Sequence, residues 1–133
     1  PDEKLNAYRL ISQCENNFSL IELCTYWVDR YGTLPKAVES LIEVMKLKII
    51  SKKCGFSRIK LNKPNIELET KMDEPAFKFL RKNLPNHLHG RFIYKKGDRN
   101  STVTIRGLGL QDGDKILDQL TEWLTLMSSQ LNL

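Results

Sequence analysis

Two histidines, His87 and His89, lie two positions apart and are the first residues to test for metal binding. Imidazoles at this spacing can hold one metal ion only from a strand or a loop, and only with further ligands from elsewhere in the chain. Pro85 and Gly90 bracket the pair, which favours a solvated loop. We therefore predict no metal site. A metal-dependent or catalytic domain built on the two histidines stays the alternative, which elemental analysis of the purified protein decides.

The three cysteines do not form a known motif. Cys14, Cys24 and Cys54 are an odd number of thiols, and they are widely spaced. Such a set is neither a disulfide framework nor a zinc-binding motif. Buried, reduced thiols are therefore expected, as is usual in a cytoplasmic protein.

The acidic residues and glycines offer no catalytic pattern either. Asp73, Asp112 and Asp114 each stand where a helix N-terminus favours negative charge, so capping explains them better than acid–base chemistry. The chain contains no G-x-x-x-x-G-K-[ST] and no G-x-S-x-G sequence, and the G-L-G at 107–109 lacks the third glycine of a dinucleotide fingerprint. We therefore expect no catalytic residue, no cofactor and no enzymatic activity in this chain.

Length and composition predict one ordinary domain spanning residues 1–133. Of these residues 41% are hydrophobic and 28% charged, which excludes a disordered or collagen-like protein. No apolar run approaches the roughly 20 residues of a membrane span. Because the first residue is Pro1 and not Met, we expect an excised part of a longer protein. Nothing in the pattern requires an oligomer, so a monomer is expected.

Positive charge is concentrated in one segment. The net charge is +5, and residues 36–63 contain eight basic and two acidic residues. Such a segment is a candidate nucleic-acid contact, in which Lys48 and Lys52 align one helical turn apart. The lysines flank an apolar stripe instead of forming one row, and no aromatic residues alternate with them as in a single-strand binder. A solvated helix face is therefore the competing interpretation.

The hydrophobic period predicts an α+β fold with an N-terminal three-helix segment, two β-hairpins separated by a short helix, and a long C-terminal helix. For the second helix we expect Asn17 as N-cap and Gly32 as a left-handed stop. Pro35 is expected in the first turn of the third helix. The apolar stripe predicted for the second helix consists of Leu20, Ile21, Cys24, Trp27, Val28 and Tyr31.

Strand alternation and turn residues define the two hairpins. Arg58 and Lys60 alternate with apolar residues in the first strand, and Glu67 and Glu69 do so in the second. We expect the basic pair to lie opposite the acidic pair on the outer face of the sheet. The second hairpin is predicted to turn through the loop at 95–100.

The segment 29–35, D-R-Y-G-T-L-P, resembles a motif of the form D-R-[FY]-G-x-L-P. That motif is found near the start of the C-terminal domain of bacterial transcription-repair coupling factors. Residues 4–11 resemble the leading helix of this family, and residues 47–48 and 53–56 resemble its long helix and the glycine exit that follows. The resemblance covers nearly the whole chain, including the order of the later strands and helices.

The resemblance implies that the chain is the C-terminal fragment of a larger, multidomain, ATP-driven translocase on duplex DNA. Such a protein displaces RNA polymerase stalled at DNA damage and recruits nucleotide excision repair. Its ATPase motors lie upstream of this domain, which is itself not catalytic. The domain is expected to dock on a module of the same protein that is similar to excinuclease component B. Docking would mask the site for excinuclease component A and restrain the motors.

The same resemblance assigns roles to individual residues. Tyr26, Asp29 and Arg30 are expected to bind the partner. At the position of Tyr26, members of the family often have Glu. Any ion pair that this Glu would form with the partner is therefore not expected here. The competing interpretation is that Arg30 caps the carbonyls of its own helix and that Asp29 is a solvated charge. Structural roles within the motif are expected for Tyr31, Gly32, Leu34 and Pro35.

Overall fold

The structure is a computed structural model that describes residues 2–131. It confirms the α+β prediction, with three helices followed by two hairpins that a short helix separates, and with a long helix at the end. The main elements are α1 (Asp2–Ser12), α2 (Asn17–Tyr31), α3 (Lys36–Cys54), β1 (Phe56–Asn62), β2 (Asn65–Thr70), α4 (Glu74–Arg81), β3 (Phe92–Lys95), β4 (Ser101–Ile105) and α5 (Gly113–Met127). Short 3-10 turns occupy Asn86–Arg91, Leu108–Leu110 and Ser128–Gln130.

The chain divides into two compact units, Pro1–Ile49 and Ile50–Leu133, and the boundary falls inside α3. Each unit has its own buried residues. The assignment of residues 1–133 to a single domain stays a prediction. Among the helices that the structure describes, none combines the length and the apolar character needed to span a membrane.

The first unit packs α1, α2 and the first part of α3 around one apolar core. The residues buried in this core are Ile11, Leu20, Trp27, Ile42 and Met45. Leu34, in the connection between α2 and α3, is half-buried against the same cluster. The sequence motif at 29–35 therefore reaches the core through a single leucine.

The stripe predicted for α2 is wrong for three of its members. Leu20 and Trp27 are buried as expected, but Ile21, Val28 and Tyr31 are exposed. At 100° per residue, Ile21 and Val28 lie about 100° around the helix from the two buried residues. The helix therefore carries apolar residues on two faces. A spacing of i, i+3 and i+4 does not distinguish these faces, so the prediction assigned residues of both to one buried stripe.

The ends of α2 also differ in detail from the prediction. The N-cap is Asn16 and not Asn17, because the Asn16 side chain accepts a 2.8 Å hydrogen bond from the Ser19 N–H. Gly32 has the expected positive φ of 81°, but its ψ of −144° sends the chain away extended instead of in a left-handed turn. Pro35 directly precedes α3, and its carbonyl accepts the N–H of Glu39 at 3.0 Å.

The second unit is built on a four-stranded antiparallel sheet in the order β1-β2-β4-β3. Arg58 lies opposite Glu69, and Lys60 lies opposite Glu67, which confirms the predicted cross-strand arrangement. Along β2 and β4, buried residues alternate with half-buried ones, so one face of the sheet carries the core.

Aromatic contacts fix the helices that cover this buried face. Phe92 of β3 meets Trp123 of α5 edge to face, with ring centroids 5.6 Å apart. Phe77 of α4 stacks on Tyr94 of β3 at 5.8 Å. Both arrangements are among those that aromatic pairs prefer, so α4 and α5 pack on the sheet through its edge strand β3.

The capping assignment for α2 yields a test with an adjacent control. The substitution Asn16→Ala removes the acceptor for the Ser19 N–H, and loss of such a cap costs about 1 kcal/mol. Asn17→Ala, one residue later, is expected to change the free energy of unfolding by a few tenths of a kcal/mol at most. Urea denaturation followed by far-UV circular dichroism measures both. Equal destabilisation by the two substitutions would contradict the assignment.

Candidate partner-binding site

Three large apolar side chains of α2 point away from the core of the first unit. Phe18 is 70% exposed, Ile21 59% and Val28 47%. Their positions fall within an arc of about 80° on the helix. We call these three residues the outer patch. Single exposed apolar residues are ordinary on protein surfaces, whereas several on one face of a helix indicate an interaction surface.

Polar residues border the outer patch along one side. Asp29 lies about 20° around the helix from Phe18, followed by Tyr26 and then Arg30. All three are exposed. Within residues 2–131, Asp29 has neither a hydrogen bond nor an ion pair, which agrees with a solvated carboxylate. We call the outer patch together with Tyr26, Asp29 and Arg30 the docking face.

The guanidinium of Arg30 is held between two tyrosines. Its Nη1 donates a 3.2 Å hydrogen bond to the Tyr26 hydroxyl, and the group lies 5.9 Å from the Tyr26 ring centroid and 5.7 Å from that of Tyr31. The side-chain hydrogen bond with Tyr31, followed by the charge interaction with Tyr26, raises the pKa of Arg30 above its already high ordinary value. Arg30 is thus a permanent cation with a restrained orientation.

The suggested capping role of Arg30 is not what the structure describes. Within residues 2–131 its side chain makes no hydrogen bond to a carbonyl of its own helix. The last turn of α2 is closed instead by the Gly32 N–H, which donates to the Val28 carbonyl at 2.9 Å. The guanidinium therefore remains on the surface, available to a partner.

The remaining motif residues surround a groove in the first unit. The groove has a volume of about 540 Å³ and is mainly apolar. Its lining includes Tyr31, Leu34 and Pro35 of the motif, together with Leu10 and Trp27. Gly32 takes no part in the lining. Its positive φ of 81° sets the direction of the connection instead.

The two lysines proposed for nucleic-acid contact are both surface residues of α3. Lys48 and Lys52 are exposed, and within residues 2–131 neither forms an ion pair. Lys46, in contrast, pairs with Glu43 at 3.2 Å. The exposure of Lys48 and Lys52 fits both a phosphate contact and a solvated face, so their role stays a prediction.

The histidines and cysteines form no metal centre within residues 2–131, where no three potential ligands come together. His89 lies with its Nε2 2.8 Å from the Leu84 carbonyl, which fixes the ring to the preceding turn. His87 is exposed. The three thiols are free, and burial raises the pKa of each, for Cys54 to about 12. Raised pKa values are the opposite of what an activated thiolate requires.

The outer patch is the part of the site that sequence reasoning missed. Phe18 was not considered, and Ile21 and Val28 were assigned to the core. The available signal was the number of apolar residues in α2, which exceeds what one buried stripe on a 15-residue helix needs. A second face was therefore required to accommodate the excess.

Comparison with known proteins finds a family model and a solved structure that are similar to this chain. A family model described as the TRCF domain matches residues 1–78. A solved structure, described as the crystal structure of the C-terminal domain of transcription-repair coupling factor, has a TM-score of 0.64 with this chain at 16% sequence identity. The matched region covers 98% of this chain and 83% of that one, so the two share a fold. No curated protein matches the chain.

The environment of Cys54 generates a pH test. Cys54 is 3% exposed, and its thiol donates to the Leu124 carbonyl at 3.2 Å. An unfolded thiol titrates near pH 8.5, whereas the folded thiol keeps its proton up to pH about 12. Stability contributed by the protonated thiol is therefore complete below pH 8.5 and is lost as the pH rises toward 12.

We expect the free energy of unfolding of the wild type to fall between pH 9 and 10.5 more steeply than that of Cys54→Ala. The extra slope is at most about 1.4 kcal/mol per pH unit, the value for one proton. Urea denaturation at a series of pH values measures both slopes, and Cys14→Ala is the control for loss of a half-buried thiol. Parallel curves for the wild type and Cys54→Ala would show that Cys54 titrates normally.

Proposed function

Because this chain belongs to the TRCF domain family, we propose that it is the C-terminal regulatory domain of a transcription-repair coupling factor. Such a protein is an ATP-driven translocase on duplex DNA that displaces stalled RNA polymerase and recruits nucleotide excision repair. In this proposal the domain performs no catalysis. It docks on the module of the same protein that is similar to excinuclease component B, and it restrains the ATPase motors.

The observation that carries the proposal is the docking face of α2. An apolar centre formed by Phe18, Ile21 and Val28 lies beside a border of Tyr26, Asp29 and Arg30. Interfaces between proteins have this composition, with an apolar core, a polar rim, and Tyr and Arg in excess. Because the opposite side of α2 is buried in the core through Leu20 and Trp27, the positions of these residues on the surface are set by a packed helix.

The arrangement of Arg30 also favours recognition. Binding usually requires that a long, mobile side chain become ordered, which costs about 0.5–1.5 kcal/mol for each such side chain. The contacts with Tyr26 and Tyr31 already restrain the guanidinium in the free domain. Because Asp29 and Arg30 are exposed and form no ion pair within residues 2–131, we expect the partner surface to offer a carboxylate to Arg30 and a cation to Asp29.

A regulatory contact has to be reversible. Surfaces between domains of one chain typically bury about 600–1,500 Å² and are more polar than permanent interfaces. The docking face, with three apolar residues beside three polar ones, is of this kind. We propose that excinuclease component A competes with the docked state for the same module, so that its binding shifts the population toward the released domain.

Charge reversal at Arg30 in the intact protein tests the proposal. Arg30→Glu leaves a like charge facing the expected carboxylate, and we expect docking to weaken about tenfold or more, as for a hydrogen-bonded interfacial charge. Basal ATPase activity and the affinity for excinuclease component A should both increase. The two readouts are steady-state ATP hydrolysis without stalled polymerase and a binding titration with excinuclease component A.

Two further variants make the outcome specific. Lys115→Glu changes the net charge equally at an exposed position of α5, outside the docking face, and it should leave ATPase activity unchanged. Ile21→Ser removes one apolar residue of the outer patch and should act in the same direction as Arg30→Glu. If Arg30→Glu and Asp29→Arg both leave ATPase activity and the binding of excinuclease component A unaltered, the docking face is assigned wrongly.

A further inference from the structure

The pairing of strands in the second unit gathers cations at one end of the sheet. Thr70, the last residue of β2, pairs with Ser101, the first residue of β4, and Lys95 at the end of β3 pairs with Thr102. Lys71 and the loop at 96–100 therefore leave the sheet at the same end. We call the four basic side chains Lys71, Lys95, Lys96 and Arg99 the basic rim.

The basic rim is fully available to an anion. All four side chains are exposed, and none of them forms an ion pair within residues 2–131. Three acidic residues are nearby. Asp98 is in the loop, Glu69 is on the sheet opposite Arg58, and the Asp73 carboxylate caps α4 by accepting the Ala76 N–H at 3.0 Å. The four cations of the rim outnumber these three carboxylates, so this end of the sheet keeps a net charge of +1.

Buried hydroxyl groups hold this end of the sheet together. The Thr70 hydroxyl donates to the Gly55 carbonyl at 2.7 Å and accepts the Met72 N–H at 3.1 Å. The Tyr94 hydroxyl contacts both the Met72 carbonyl, at 2.9 Å, and the Ser101 hydroxyl, at 2.8 Å. Lys71 lies between Thr70 and Met72, so its backbone is fixed on both sides.

The loop at 96–100 turns tightly at Gly97. A Cβ atom at Gly97 would collide with the Asn100 carbonyl, so the turn is too tight for any residue with a side chain at this position. Lys96 precedes this glycine directly, and Arg99 follows it by two positions. Three cations of the basic rim are therefore carried by the end of β3 and by this tight turn.

We propose that the basic rim binds the phosphate backbone of duplex DNA. Between β2 and β3 it is about 10 Å wide, since neighbouring strands lie about 4.8 Å apart. That width covers about three phosphates along one DNA strand, which carries one charge per 3.4 Å. The rim contains no aromatic ring for stacking unpaired bases and no apolar anchor for a protein partner.

This site differs from the basic segment found in the sequence. Lys48 and Lys52 are neighbours along α3, whereas the basic rim comes from two separate segments, residue 71 and residues 95–99, that the sheet register brings together. It also lies outside α2, so it is independent of the docking face. Failure of either proposal leaves the other untouched.

A titration of the 133-residue chain with a fluorescently labelled 20-base-pair duplex of mixed sequence tests the proposal. Fluorescence anisotropy measured from 30 to 200 mM NaCl gives the dependence of affinity on salt. With about three phosphate contacts, the slope of log K against log[NaCl] should be about −2.7. Lys96→Glu/Arg99→Glu should weaken binding at 50 mM NaCl at least tenfold and bring the slope about two units closer to zero.

The control is Lys63→Glu/Arg106→Glu, which makes the same change in net charge at the opposite end of the same sheet. We expect it to retain most of the affinity and the full salt slope. If both double variants lose the same affinity for the duplex, the DNA responds only to the net charge of the protein, and the proposal is overturned. No binding at 30 mM NaCl, or tighter binding to a labelled acidic peptide of equal charge than to the duplex, would also overturn it.

Discussion

Burial of Leu20 and Trp27 in the core of the first unit determines what α2 can present to the outside. Once these two side chains occupy the core, helical geometry leaves Phe18, Ile21 and Val28 on the surface, whatever their preference for burial. The same constraint places Asp29 and Arg30 beside them. The composition of the docking face is therefore determined by which residues of α2 are buried. If other side chains of α2 occupied the core, the helix would be turned about its axis and would expose a different set of residues.

Local signals in the sequence were sufficient for the first hairpin and for the start of α4. Alternation along β1 and β2 gave the cross-strand pairs of Arg58 with Glu69 and of Lys60 with Glu67, because a period of two leaves one choice of face. The N-cap of α4 at Asp73 followed from its position before the helix. In such places residue type and spacing carry nearly all of the structural information.

The first unit shows where sequence reasoning stops. Two adjacent asparagines are equivalent as capping residues on chemical grounds, and only the backbone of the turn selects Asn16. In α2 an excess of apolar residues concealed which of two faces is buried, since that depends on tertiary packing. The partner-binding residues were proposed from a family resemblance, and the apolar residues beside them became apparent only from exposure. The basic rim required the sheet register, which joins residues from segments distant in sequence.

Tyr94 occupies a mechanically central place in the second unit. One face of its ring is stacked against Phe77 of α4, while its hydroxyl reaches the β2 exit and the start of β4. A single phenol thus links a helix, the exit of one strand and the start of another. The end of the sheet from which the second hairpin turns is therefore cross-braced by one side chain.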